Sequence, residues 1–262
     1  MEMRTSKPKL KAVVGVTQQE ISKQWDEVAK LRADQIEKGQ DLSFDYILVP
    51  AILKLSAQSD FSAVIDIGCG LGFLTRQLAS KAKCITGIDM SKKMINLAIE
   101  KCENVENIKF INSTVEDFTR KMKSTQFTLA VANMSLMTTL NLDRVLQSIA
   151  CLLRPEAHFI FVITHPCFWP FYWGYAFENW FDYRKEVLIE GPFRISLDSS
   201  NEGLKTIHIH RPIERYIADL LRAGFIVDEV YEPMPTKDIE VKYPKPWIYP
   251  RFLSMRCIKK VI

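Results

Sequence analysis

Between residues 63 and 164, short apolar runs alternate with stretches of helical periodicity, and few architectures satisfy that pattern. Ala63-Val64-Ile65-Asp66-Ile67 is an apolar run that ends in glycines, as a buried parallel strand does. Phe73 to Lys81 follows with Leu74, Leu78 and Ala82 at helical spacing. Cys84 to Ile88 predicts a second strand. Ser91 then predicts an N-cap, with Met94, Ile95, Leu97, Ala98 and Cys102 on the apolar side of the next helix. Strands are expected again at Ile108 to Ile111, Phe127 to Ala132 and His158 to Thr164, with a helix from Leu142 to Leu153 stopped by Pro155. Strand–helix alternation implies βαβ units and a parallel sheet covered on both faces.

The flanks complete this plan. Glu20 to Arg32 and Phe44 to Leu55 predict two helices before the first strand, an N-terminal helical cap. Lys205 to His210 predicts a strand, and Pro212 opens a helix that Gly224 closes. Phe225 to Tyr231 and Phe252 to Ile258 predict the last two strands, joined by a Pro-rich connection from Pro233 to Pro250. The expectation is a single α/β domain over 16–262, a Rossmann-like, doubly wound, mostly parallel seven-stranded sheet. Residues 1–15 are expected to be a mobile basic tail. An aromatic-rich insertion is expected at about 166–203, where helix and strand periodicity lapse.

The turn after the first strand carries the strongest chemical signal, Asp66-Ile67-Gly68-Cys69-Gly70-Leu71-Gly72. Glycines there let the backbone turn sharply and approach a ligand closely, and the helix behind them presents free N–H groups. The string lacks the GK[ST] of a phosphate-binding Walker loop. It also fails the GxGxxG dinucleotide fingerprint, because Phe73 stands where the third glycine belongs. Asp89, at the end of the second strand, is a carboxylate able to accept hydrogen bonds from both hydroxyls of a ribose. A tight βα turn and a helix-start acid are the bland alternatives for these two features. Their joint spacing on consecutive βα units favours a ligand.

The GxGxG string with an acid two residues before it resembles the first motif of class I S-adenosylmethionine (SAM) dependent methyltransferases. The resemblance runs over roughly residues 20–262. It implies cofactor contacts from Asp66, Gly68, Cys69 and Gly70, from Asp89 on the ribose with Met90 against the adenine, from Thr114 and Val115 at the adenine edge, and from Asn133 and Met134 at the methionine end. At the adenine edge the family's usual acid is replaced by Ser113 or Thr114. Leu152-Leu153-Arg154-Pro155, Ile163-Thr164-His165-Pro166-Cys167-Phe168 and Pro250-Arg251-Phe252-Leu253 are similar to strings in bacterial small-molecule methyltransferases. The resemblance implies SAM as cofactor and transfer of its methyl group to an N, O or C atom of a small acceptor. Such a transfer needs alignment and exclusion of water, and a base only if the acceptor must lose a proton.

His165, after the fifth strand at the ligand-binding edge, is the candidate base; its alternative role is to orient the loop. His158, His208 and His210 read as structural. Ten aromatics fall within residues 168–183. They read as a lid over the acceptor, with Phe168, Trp169, Tyr172 and Trp173 as candidate contacts; a satellite core or a dimer interface would use the same composition. Such rings suit a flat, aromatic or heterocyclic acceptor and could favour a cationic one. Trp25 and Tyr46 are further candidate contacts from the helical cap, with core packing as the alternative.

A net charge of +4 is too weak to indicate a nucleic-acid partner. Arg4, Lys7, Lys9 and Lys11 could touch phosphates, yet a solvated tail explains them more simply. A tRNA or rRNA methyltransferase stays as one rival, although no [DN]PP[YF] follows the fourth strand: that place reads Asn133-Met134-Ser135-Leu136. A non-catalytic SAM-binding protein is the other. The six cysteines form no CxxC pair and read as reduced packing residues, with no metal site expected. With no secretory leader and no membrane-length apolar run, a cytoplasmic location without membrane contact is expected.

Overall fold

The computed structural model describes residues 10–122, 127–197 and 203–261. Residues 1–9, which hold most of the expected tail, and 198–202 of the insertion lie outside them. Strand β1 (Lys11–Val13) is followed by helix α1 (Gln18–Glu37). Thr17 and Glu20 form a reciprocal capping box at the start of α1. Phe44–Leu48 is a π-helical turn running into α2 (Val49–Leu55). The alternating unit then appears: β2 (Val64–Ile67), α3 (Phe73–Ala79), β3 (Ile85–Asp89), α4 (Lys92–Lys101), β4 (Ile108–Asn112), α5 (Val115–Lys121), β5 (Phe127–Asn133), α6 (Leu142–Leu152) and β6 (Leu153–Thr164). After it come α7 (Trp169–Trp173), β7 (Val187–Pro192), β8 (Lys205–His210), α8 (Ile213–Arg222), β9 (Phe225–Tyr231), α9 (Lys237–Glu240) and β10 (Phe252–Lys259). Ser91 and Thr114 cap α4 and α5 through their hydroxyls.

The main sheet has seven strands in the order β4-β3-β2-β5-β6-β10-β9. Strands β2 to β6 are mutually parallel, and β10 runs antiparallel to both neighbours. The expected doubly wound, mostly parallel sheet is therefore the observed one. Chain order reverses on either side of β2, so a crevice opens between the carboxyl ends of β2 and β5. Helices cover both faces. Leu142, Leu146 and Ile149 of α6 pack with Phe159 and Phe161 of β6 on one side. Leu74 and Leu78 of α3 pack with Ile47, Ile52 and Val162 on the other.

Two expectations change. Lys11–Val13, placed in the mobile tail, pairs antiparallel with β7, which itself pairs with β8 in a second, three-stranded sheet. The insertion is likewise not devoid of regular structure, since it contains α7 and β7. Its strand was hidden because it is completed by residues 175 to 179 positions away in the chain, Lys11–Val13 pairing with Leu188–Glu190.

Arg211, at the end of β8, ties the two sheets together. Its fully buried guanidinium pairs with Glu186 and donates to the carbonyls of Leu136, Thr139 and Leu140 beyond β5, at 3.4, 2.6 and 3.3 Å. Removing it strands three buried carbonyls. Arg211→Ala is expected to cost about 3 kcal/mol of stability, measured as a lower midpoint in chemical denaturation.

Candidate active site

A cavity of about 920 Å³ opens at the carboxyl rim of β2 to β6. All ten residues expected at a cofactor line it: Asp66, Gly68, Cys69, Gly70, Asp89, Met90, Thr114, Val115, Asn133 and Met134. The glycine turn explains itself sterically. Gly68 has φ +68°, and a Cβ there would fall 2.4 Å from Ser135 Cβ, so only glycine lets the β5 loop close on it. Gly70, at φ +52°, has nothing within 4 Å of a built Cβ; its missing side chain leaves open space on the cavity wall.

Asp89 ties this turn to the next. One carboxylate oxygen accepts the Gly70 N–H at 2.9 Å and the other the Ser91 N–H at 2.8 Å. Ser91 donates its hydroxyl to Asp26 of α1 at 2.6 Å, and the Lys93 N–H reaches the same Asp26 oxygen at 3.0 Å. Gln18, also on α1, donates to Thr138 O at 3.0 Å and accepts from Leu140 N–H at 2.9 Å. The helical cap is thus fastened at both the β3 and the β5 ends of the rim. Asp26 and Gln18 had no sequence signal as fasteners, because each is an ordinary polar residue on an amphipathic helix.

Burial loads the site electrostatically. It pushes the Asp66 carboxyl up to about 7, against the hydrogen bond from Thr75 and with help from the charge of Asp89. Burial also pushes Asp89 up to about 6, opposed by the Ser91 and Gly70 N–H groups. Asp66 Oδ1 and Asn133 Oδ1 are buried acceptors without a donor, on two strands that flank the crevice. An ammonium would satisfy both. This donor-hungry end fits the amino-acid part of SAM, and Asp89 fits its ribose.

The expected acceptor residues separate. Trp25, Trp169, Tyr172 and Trp173 line the cavity; Tyr46, Phe168 and His165 do not. Tyr46 lies partly exposed under Lys242, and Phe168 stacks on Tyr249 at 5.0 Å. His165 is 2% exposed with both ring nitrogens engaged. Nδ1 accepts the Cys167 N–H at 3.2 Å, so the proton sits on Nε2, which donates to Glu232 at 2.7 Å. Burial lowers its pKa despite Glu232. The ring is thus engaged in holding the loop after β6, the second of the two roles the sequence left open, and does not face the cavity. His208, read as structural, does line the cavity; burial drives its pKa down to about 3, and it hydrogen-bonds Tyr175 Oη at 3.2 Å. Farther along the insertion, Tyr175 packs with Trp180, Phe181 and His208 in a satellite core. Cavity wall and satellite core are therefore successive parts of one segment.

Known proteins share this arrangement. The "Methyltransferase domain" family matches residues 58–187. The chain thus matches a methyltransferase domain over about half of its length and has the fold of the class I SAM-dependent methyltransferases. A ubiquinone biosynthesis O-methyltransferase of Vibrio campbellii is 30% identical over 99 residues, 37% of this chain and 42% of that one. A ribosomal RNA small subunit methyltransferase A of Caldanaerobacter subterraneus is 30% identical over 77 residues, 29% of each chain. The chain thus spans less than half the length of both curated relatives. The fold matches a Burkholderia thailandensis 1,6-didemethyltoxoflavin-N1-methyltransferase, solved with 1,6-didemethyltoxoflavin and S-adenosylhomocysteine, with a TM-score of 0.63 and 15% identity over 99% of both chains. No described helix is long and apolar enough to cross a membrane.

The raised carboxyls make cofactor binding pH-dependent. Hydroxyl and ammonium donors favour the ionised forms of Asp89 and Asp66, so binding releases protons wherever the free groups are protonated. Affinity for S-adenosylhomocysteine (SAH) is expected to rise with pH through about 6 to 7 and to level off above. Calorimetric titration in buffers of different ionisation enthalpy measures the released protons; a flat affinity across that range contradicts the assignment.

Proposed function

We propose that the chain transfers the methyl group of SAM to a small-molecule acceptor held beneath α1 and the insertion. The observation that carries this reading is the single cavity spanning both regions, from Asp89 and the glycine turn to Trp169, Tyr172 and Trp173. Bound SAM supplies an electrophilic methyl group on a sulfonium. Asp89 would hold the ribose, Met90, Thr114 and Val115 the adenine edge, and Asp66 with Asn133 the amino-acid end. The chain's remaining work is to orient the acceptor and keep water out, for which apolar walls and a fastened cap are suited. Trp25 on α1, edge-on to Phe193 at 6.0 Å, closes the cavity from the side of the cap.

A small acceptor is favoured over a ribosomal RNA because aromatic side chains and α1 wall the acceptor end. Transfer proceeds without His165 as base. An acceptor nitrogen with a free lone pair needs none, and an acidic hydroxyl can enter already ionised.

The reading is tested by titrating the protein with SAM and SAH, with NAD as control. Both sulfur compounds should bind at micromolar concentrations and NAD should not. Asp89→Ala should weaken SAH by about 10- to 100-fold, the worth of charge-assisted hydrogen bonds. Preference for NAD, or wild-type SAH affinity in Asp89→Ala, overturns the cofactor assignment. Methyl release from bound SAM in the presence of an acceptor separates an enzyme from a protein that only binds.

A further inference from the structure

We infer that the acceptor is an anion, a flat molecule whose carboxylate or phosphate docks on Arg251; the inference rests on the methyltransferase reading and specifies its acceptor. Arg251 lines the cavity and is only 4% exposed, yet among the described residues no carboxylate pairs with it. Its Nη2 donates to the carbonyls of Lys245 and Pro246 at 3.0 and 3.3 Å. Its guanidinium lies 3.9 Å from the centroid of the Tyr172 ring and 4.3 Å from that of Trp247. Glu240, the acid whose field reaches it, accepts the Trp247 N–H at 2.9 Å and makes no ion pair with it. A buried guanidinium with carbonyls and rings for partners keeps its full charge uncompensated.

The surroundings share that sign. Arg32 and Asp41, both on the cavity wall, neutralise each other at 2.6 Å. Arg194 and Lys245 line the same end without an acidic partner among the described ion pairs. Hydrogen-bonding capacity points the same way. The buried polar atoms left without a partner here are donors, Trp169 Nε1 and Arg32 Nη1, whereas at the cofactor end they are acceptors. Orphan donors beside an unpaired cation call for a ligand rich in acceptors and negative in charge. Tyr172 would be the obvious ring for a cationic acceptor, the alternative the sequence left open, but it already carries the protein's own cation.

Position fits the chemistry. Arg251 directly precedes β10, and its carbonyl accepts the His165 N–H at 2.8 Å, so it sits on the rim beside the end of β6. Asn133 and Met134 occupy the rim at β5, on the far side of β6. Two strand spacings separate these places, about 10 Å. That is roughly one aromatic ring with its anionic group and the hydrogen bond to it. An acceptor anchored at Arg251 thereby presents its opposite edge to the methyl donor.

The test titrates the preformed SAH complex with matched probes: benzoate, 4-hydroxybenzoate and indole-3-acetate, each against its carboxamide, and phenyl phosphate as the phosphate arm. At least one anion should bind about tenfold tighter than its neutral partner. Arg251→Gln should bring that ratio close to one, and Arg251→Lys should keep part of it, both with unchanged SAH affinity. Trp169→Phe, which removes a donor and keeps a ring, should weaken the anion severalfold and tests the subsite even if Arg251→Gln does not fold. Tighter phenyl phosphate than benzoate identifies the anion as phosphate. SAH binding with no preference for any anion, or a preference that survives Arg251→Gln, overturns the anionic subsite alone. Failure of SAH itself to bind overturns the methyltransferase reading and this inference with it.

Discussion

A parallel strand must be followed by a crossover, so every turn that leaves it opens on the same edge of the sheet. Five consecutive parallel strands therefore deliver the glycine turn, Asp89, Thr114, Asn133 and Thr164 to one rim, although they are spread over about a hundred residues. Everything functional in the molecule is arranged along that rim. On the proposed function, its order in space, β4-β3-β2-β5-β6-β10, would run from adenine through ribose and amino acid to acceptor. The helical cap and the second sheet add walls to a site whose sequence of subsites the main sheet has already set.

Two kinds of frustration are left at opposite ends of the cavity. Near β2, β3 and β5 the protein buries carboxyls that resist ionisation, and one oxygen of Asp66 and the amide oxygen of Asn133 lack donors. Near β10 and α1 it buries a guanidinium and N–H groups that lack acceptors. Neither end could be relieved by the other, because strands β2, β5 and β6 keep them apart. Unmet polar demand of this kind is ordinarily purged from protein interiors, and where it persists it describes the missing partner in negative.

The doubly wound sheet and the residues that gather on the cavity wall at its rim were legible because each is encoded locally. A strand, its glycine turn and its helix are contiguous, so Asp66 to Gly72 could be read without the rest of the chain. Ser91 and Thr114 announced their helices in the same way. The opposite end was legible only in part, as single aromatic residues, since those residues meet only through distant pairing. Trp25 and Trp169 share a cavity through tertiary packing, and Lys11–Val13 becomes a strand only because β7 lies beside it. For His165 the sequence left two roles open, because its place at the rim is visible in sequence, whereas the direction of its ring depends on Glu232, 67 residues away. Arg251 could be quoted as part of a familiar string, but nothing in the string says that its charge has no partner.

The buried Arg211 has a bearing on how such a protein can be taken apart. The segment that walls the acceptor looks like a detachable module, a small sheet spliced in after β6. Its guanidinium, however, is solvated by carbonyls that belong to the cofactor loop beyond β5. Grafting the module onto another protein would carry Arg211 along with Glu186 but leave behind the carbonyls that take its remaining N–H groups. Exchanging acceptor specificity by cassette would therefore require moving residues 136–140 along with the insertion, two pieces of chain that a sequence alignment would never mark as one unit.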